Sequence, residues 1–447
     1  MNILSKLMNT LLILPAVNVY LLYKTGLPFQ LVLFSIIILF MIAAVPVRGR
    51  CGIKSTRLRQ CQAGVELLWA FLLSVSITAA VRLYLLLAHM HMLDWKEWIL
   101  DILVVILAEN IVFWSGMVRV YIVSVQLAVR WRVIAAVCGW IPVVHLVVLG
   151  KVIRIVSDEV KTENDRILLN EQRAMERICS TKYPILLLHG VFFRDFRYFN
   201  YWGRIPAELE KNGAQIFYGN HQSAVSVKES AEEIACRIHE IRKQTGCEKV
   251  NIIAHSKGGL DARYAIAKLG MAPFVASLTT VNTPHRGCEF ADYLLEKIGP
   301  AQQNMVAKAY NSTLCRLGDT CPDFLGAVED LKADACKKRN AELFEAEKKI
   351  APDVYVQSIG SCLKKPSGGR FPLNLSNRFV RHFDGENDGL VGRNSFEWGH
   401  SFIWLEASGM RGLSHGDMID LNRENFKGFD VREFYVQLVS DLKKRGF

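Results

Sequence analysis

The 447-residue sequence has no C-x-x-C pair and no zinc-finger, RNA-binding or helix-turn-helix signature, so neither a thiolate zinc site nor a nucleic-acid-reading module is encoded. Charged residues are only 22% of the chain against 51% hydrophobic ones, which excludes a disordered polypeptide. Proline is scarce, 13 residues without a repeat, and this excludes a collagen-like chain. The first apolar run lacks an A-x-A-like cleavage site and a second run begins at once, so a retained anchor is expected. The net charge of +11 forms no patterned basic arm, and nucleic acid is not an expected partner.

What is present is unevenly distributed. Residues 1–150 are mostly long apolar runs, whereas Lys151 to Phe447 has the mixed composition of a water-soluble domain. The expected organisation is an all-α transmembrane bundle over 1–150, a linker over 151–181 and a globular domain over 182–447. A helix needs about 20 apolar residues to cross the hydrocarbon core. Residues 27–47 meet this without a charge, and 67–88 meet it with Arg82 near one end, where it is expected to snorkel. Residues 7–23 are interrupted by Asn9, Pro15 and Asn18; 99–118 carry Asp101, Glu109 and Asn110, expected to face other helices; 133–150 are short but nearly charge-free. Five crossings are expected, with four as the alternative.

Lysine and arginine in short loops mark the cytoplasmic side. Arg48, Arg50, Lys54, Arg57 and Arg59 form the densest cluster, and Arg119, Arg130 and Arg132 mark a second cytoplasmic loop. Five crossings then place the C-terminal domain outside a multi-pass cell-membrane protein, with Lys151 and Arg154 on the unfavoured face. The 11 cysteines are expected to be free thiols, although Cys315 and Cys321 bracket a turn and could form a disulfide outside the cell.

From Lys182 onward apolar runs alternate with helical patterns, the signature of an α/β domain. Residues 183–189, 214–218, 250–255, 277–281 and 353–358 read as strands, several without polar interruption, as in a parallel sheet covered on both faces. Ser226 to Thr245 has helical periodicity closed by Gly246. Residues 289–350 contain no good strand and read as a helical insertion, of the kind that forms lids.

The chemical signal is the segment VNIIAHSKGGLDARYAI at 250–266, a strand running into Ala254-His255-Ser256-Lys257-Gly258 and then a helix. This is the context of a nucleophile elbow, where small residues two before and two after the serine let strand and helix approach. A serine hydroxyl needs an imidazole to remove its proton and a carboxylate to orient the imidazole. In this fold class the acid and then the histidine follow the serine in the chain. His285 follows too closely for an acid to intervene. The glycine-rich loop at 382–392 offers Asp384 and Asp388, leaving His400 and His415; His415, in a polar loop, is preferred to His400, which opens an apolar run. The backbone N–H groups of Lys257 and Val191 are the expected oxyanion donors, with the Lys257 side chain solvated.

Taken together, PILLLHG, FNYWG at 199–203, AHSKGG, NTPHRG at 282–287, NDGLV at 387–391 and SHGD at 414–417 resemble the bacterial triacylglycerol lipases of the α/β-hydrolase fold, over about Tyr183 to Asp420. The resemblance implies Ser256 as nucleophile, Asp388 rather than Asp384 as acid, His415 as base, an ester-hydrolase activity and a mobile lid. It also implies Asp417 as one ligand of a structural calcium in some members, without convincing partner acids here. The expected function is a membrane-anchored serine ester hydrolase acting on lipid esters and needing no organic cofactor. A phospholipase or lipid acyltransferase is the second expectation, and a non-catalytic membrane-bound binding module the third.

Overall fold

The structure is a computed structural model describing residues 3–47, 52–88, 93–139, 141–191, 200–222, 224–297, 299, 304–305, 307–308, 311–312, 322–370 and 373–447. The chain divides into two compact units, Met1–Gln172 and Arg173–Phe447.

The first unit is helical: α1 (Ile3–Val17), α2 (Val19–Lys24), α3 (Phe29–Ala44), α4 (Thr56–Ala88), α5 (Trp95–Val123), α6 (Val129–Cys138) and α7 (Pro142–Arg173). By length and composition α4 and α5 can cross a membrane, while α1 and α3 are shorter apolar helices. Ile13 and Val17 of α1, Leu39 and Ile42 of α3, Leu67 and Ala70 of α4, and Ala108 and Val112 of α5 pack into one cluster. Several polar side chains inside the unit find partners within it. Arg82 does not snorkel; its Nε and Nη2 donate to the two oxygens of Asp101, each at 2.9 Å, because an apolar surround leaves both charges no better partner. Ser74 donates to Glu109 at 2.6 Å. Asn110 departs from the expectation: it is exposed, and its amide donates to the Ile106 carbonyl of its own helix.

Residues 133–150 are not one helix. α6 ends at Cys138 and α7 begins at Pro142, since proline lacks the N–H needed in a helix interior but suits a first turn. α7 then runs to Arg173, so most of the segment expected as a linker is helix. Its polar half is anchored by Glu159, 1% exposed, which accepts from the Ser124 hydroxyl at 2.6 Å and from the Val125 and Gln126 N–H groups at 3.2 Å. Glu159 also pairs with Arg57 of α4. The Lys54 N–H donates to Asn164 at 3.2 Å and its ammonium pairs with Glu171 at 3.0 Å. The end of α7 therefore lies where α4 begins and α5 ends. Arg48 and Arg50 of the basic cluster lie outside the described residues.

The second unit is built on β1 (Ile185–Leu188), β2 (Ile216–Tyr218), β3 (Val250–His255), β4 (Val275–Val281), β5 (Tyr355–Ser361) and β6 (Ser401–Leu405), every neighbouring pair parallel, in the order β2-β1-β3-β4-β5-β6. Alternate residues serve opposite faces. Ile185 and Leu187 of β1 pack with Ile205 and Leu209 of α8 (Ile205–Lys211) and Tyr435, Val436 and Val439 of α15 (Val431–Lys444). Leu186 and Leu188 instead meet Ile234, Ile238 and Ile241 of α9 (Val227–Thr245) and Ala262 and Ile266 of α10 (Lys257–Lys268). Ser226 caps α9 in a reciprocal box with Glu229, and Gly246 ends it in the left-handed conformation, as its sequence predicts. The insertion at 289–350 contains α11 (Glu289–Lys297), α12 (Phe324–Glu329) and α13 (Ala333–Ile350); α14 (Leu373–Asp384) follows β5. The three-layer parallel architecture is the α/β class expected. Among the described residues eight cysteines are free, and Cys315 and Cys321 lie outside them.

The chain passes from β1 to β2 on one side and returns to place β3 on the other side of β1. The strand order thus reverses between β1 and β3, and the carboxyl ends of strands at such a switch point flank the crevice where open α/β sheets bind ligands.

Candidate active site

Ser256 stands at that switch point, directly after β3 and before α10, with φ 56° and ψ −132°. An L-residue adopts this conformation only when the surroundings force it, at a cost of about 1–3 kcal/mol. Three bonds hold the bend. The Ser256 N–H donates to the Val281 carbonyl at 3.0 Å, and its own carbonyl accepts from the Gly259 N–H at 3.1 Å and the Thr283 hydroxyl at 2.8 Å. Gly258 explains the small residue after the serine, since a Cβ there would lie 2.4 Å from the His189 carbonyl oxygen.

Asp388 and His415, 27 positions apart, meet at 2.6 Å between Oδ2 and Nδ1, with the His415 N–H also donating to the Asp388 carbonyl at 2.9 Å. The carboxylate is fully buried. Its Oδ1 accepts from the N–H groups of Leu390 and Val391, both at 2.9 Å, and its Oδ2 accepts a second bond from the Asn282 amide at 2.6 Å. With Nδ1–H directed at a carboxylate, Nε2 of His415 is left as the basic nitrogen. The His415 ring lies 4.4 Å from that of His255, the residue before Ser256. Among the described residues no hydrogen bond joins the Ser256 hydroxyl to His415; catalytic hydrogen bonds often tighten only when substrate binds.

His255 is buried, and burial first, then the neighbouring His415, holds its pKa well below the usual histidine range. It is therefore a neutral ring, bonded through Nδ1 to the Tyr201 hydroxyl at 2.7 Å. That hydroxyl is 2.8 Å from where a Gly190 Cβ would stand, and Ser256 Oγ is 3.2 Å from the same point. Tyr201 thus sits beside the nucleophile.

Of the two expected oxyanion donors, Lys257 directly follows the serine, and Val191 follows Gly190, where an added Cβ would lie 2.7 Å from the Ser256 Cβ. The Lys257 N–H is in the first turn of α10, where helical N–H groups have no partner within the helix and the dipole favours negative charge. Val191 follows Gly190 after β1 and is half-buried. Beside it, His189 stacks on His221 with ring centroids 3.8 Å apart, and its nitrogens face the carbonyl oxygens of Gly190 and His221 at 2.9 and 3.0 Å. Residues 192–199 lie outside the described residues.

The Lys257 side chain is not solvated. It is 2% exposed, donating to Asp261 at 2.7 Å and to the Ser230 hydroxyl of α9 at 3.0 Å. Burial raises the Asp261 carboxyl to about 6 despite that lysine. The unselected candidates lie elsewhere. Asp384 accepts from the Glu289 N–H at 3.1 Å, and His400 Nδ1 from the Val356 N–H at 3.1 Å. His285 is buried between Arg263 and Thr280 with its ring stacked on Trp398, and with His400 it lines a separate cavity whose lining includes none of Ser256, Asp388 and His415.

Asn282 and Tyr201 carried no assignment from the sequence. Asn282 stands just after β4 at φ 48°, a conformation asparagine tolerates better than most residues, and strand-end asparagines of that kind are the signal that could have drawn attention to it.

The family model "Putative serine esterase (DUF676)" matches residues 218–321. Triacylglycerol lipase of Burkholderia plantarii is 38% identical over 127 residues, 27% of this chain and 35% of that protein. Triacylglycerol lipase 2 of Saccharomyces cerevisiae is 26% identical over 266 residues, 55% of this chain and 74% of that protein. The chain thus spans about a third of the length of the bacterial lipase it matches. Among solved structures, Bacillus licheniformis lipase BlEst2 in its mature form aligns with 58% of this chain and 92% of its own at 19% identity and a TM-score of 0.42.

Proposed function

We propose that this chain is a membrane-anchored serine hydrolase cleaving carboxylic esters of lipids. Ser256 Oγ attacks the acyl carbonyl while His415 Nε2 takes its proton and then delivers it to the departing alcohol. Asp388 holds the imidazole through Nδ1 and stabilises its charge. The N–H groups of Lys257 and Val191 receive the oxyanion, and water activated by His415 releases the acid from Ser256. The observation that carries the reading is the strained φ of Ser256 at the end of β3, on a bend whose neighbouring His255 ring lies 4.4 Å, tilted, from that of the Asp388-bound His415. A lipid ester as substrate is supported by the named activities of the bacterial and yeast relatives.

For the anchor, the helix break at Pro142 leaves α1 with α2, α3, α4 and α5 as four crossings, α6 and the start of α7 lying at the interface. An even number returns the chain to its starting side. The hydrolase unit then faces the cytoplasm, opposite to the outcome of five crossings.

The test is hydrolysis of a short p-nitrophenyl ester and of labelled triglyceride and phospholipid by the full chain and by Ser256→Ala. Loss of up to about a millionfold is expected on removing a triad serine. Unchanged turnover, or fluorophosphonate labelling that persists in Ser256→Ala, refutes the assignment.

A further inference from the structure

The segment following β6, residues 411–425, carries His415 and three acids, and an arginine grips each acid. Arg411 forks Asp417, Nη1 to Oδ2 at 2.7 Å and Nη2 to Oδ1 at 3.0 Å, and the Ser414 N–H adds a bond at 2.8 Å. Arg204 forks Asp420, Nε to Oδ2 at 2.7 Å and Nη2 to Oδ1 at 2.8 Å, and its own N–H reaches Oδ2 at 2.9 Å. Arg370 forks Glu424, with Nε to Oε2 at 3.0 Å and Nη2 donating to both oxygens. The arginines come from three places: the residue before α8, the loop between β5 and α14, and the His415 segment itself. Arg411 is further braced over the Phe426 ring at 3.9 Å.

Calcium takes six to eight oxygen ligands. Asp417, the position at which the lipase resemblance implies a calcium ligand, has both oxygens committed to a guanidinium. Asp420 and Glu424 are committed in the same way, and among the described residues no group of three or more His, Cys, Asp or Glu side chains is placed to hold a metal. The donor set does not fit the ion.

We propose that three guanidinium forks hold the histidine segment in place of a divalent cation, with Arg411 and Arg204 as positioning residues for the imidazole of His415. This rests on the reading of His415 as the base. A planar fork is pre-organised for a carboxylate and cannot lose its charge, so the segment stays ordered whatever the ion concentration. The arrangement matters to the chemistry because a displacement of about 1 Å at a reacting group costs about a hundredfold in rate.

The test uses the full chain in detergent, with thermal unfolding and short-ester kinetics measured in millimolar calcium and in EDTA. The wild type is expected to show the same melting midpoint and the same kcat in both. Arg411→Met, which keeps the stem and removes the fork, is expected to lower kcat about tenfold to a hundredfold with KM unchanged, well below its melting temperature. Arg411→Lys, which keeps the charge without the fork, should fall between the two. Pairing Arg411→Met with Asp417→Asn should give melting shifts smaller than the sum of the singles. A wild-type midpoint that rises with calcium, additive melting shifts, or an unaltered kcat in Arg411→Met overturns the proposal. The melting arms need no turnover, so a chain without esterase activity would defeat the functional reading while still testing the clamp.

Discussion

Asn282 donates one amide hydrogen to Asp388 Oδ2 at 2.6 Å and the other to the Ser361 hydroxyl at 2.8 Å, so a single side chain ties the acid to the end of β5. Asp388 Oδ2 is the same oxygen that accepts from His415. Two donors converging on one oxygen fix the direction from which the imidazole can approach. A hydrogen bond to a charged group contributes about 1.5–3 kcal/mol, which corresponds to about tenfold to a hundredfold in rate if it acts in the transition state. Because Asn282 has φ 48°, glycine is the replacement that removes the amide without adding backbone strain. Asn282→Gly is expected to lower kcat by that factor with KM little changed. Asn282→Asp should do worse, setting a like charge against Asp388. Steady-state kinetics on a soluble ester decide the matter, and a glycine variant at full kcat would show that the backbone N–H groups of Leu390 and Val391 alone suffice to hold the acid.

At the scale of elements, Glu159 does more for the helical unit than its single ion pair suggests. Its carboxylate is fully buried while the Arg57 partner is a third exposed, and it also serves the Ser124 hydroxyl and two backbone N–H groups just beyond α5. Removing one partner of a buried pair costs about 3–5 kcal/mol. Glu159→Ala, which takes the acceptor from the Ser124 hydroxyl and two N–H groups, and Arg57→Met, which leaves the fully buried carboxylate without its cation, are therefore each expected to destabilise the unit by about that amount in denaturant unfolding of the detergent-solubilised chain. A much smaller loss in Glu159→Ala would mean that the turn after α5 does not need the carboxylate. What the sequence made legible at this scale follows the same physics of burial. Val250–His255 reads as a strand because both its faces are covered, which leaves a run that is apolar but for Asn251 and the terminal His255. Within 133–150 the near absence of charge favours a crossing and Pro142 a break; the break prevails because proline lacks the N–H that a helix interior needs. Lys257 resisted reading because lysine is almost never buried unless paired. Asp261 four residues on is visible in the sequence, whereas Ser230 of α9 and the covering layer are not. Asn282 is 106 positions from Asp388, and no local pattern joins them.

For the whole molecule, the decisive quantity is the number of crossings. The four crossings proposed would put Arg48, Arg50, Lys54, Arg57 and Arg59 on the same side as Arg119, Arg130, Arg132, Lys151 and Arg154, with no cluster stranded on the outer face. The Glu159, Asn164 and Glu171 contacts to Arg57 and Lys54 carry the chain out of the helical unit at that same end. Labelling with a membrane-impermeant maleimide separates the two orientations. Cys236 is exposed in the hydrolase unit, and Lys96 is exposed at the start of α5, on the side opposite the basic loops. In intact cells Lys96→Cys is expected to react and Cys236 to stay silent until the membrane is permeabilised. If Cys236 and Lys96→Cys both react in intact cells, the hydrolase unit faces outward, the chain makes an odd number of crossings, and the interrupted 133–150 segment must cross the membrane despite Pro142.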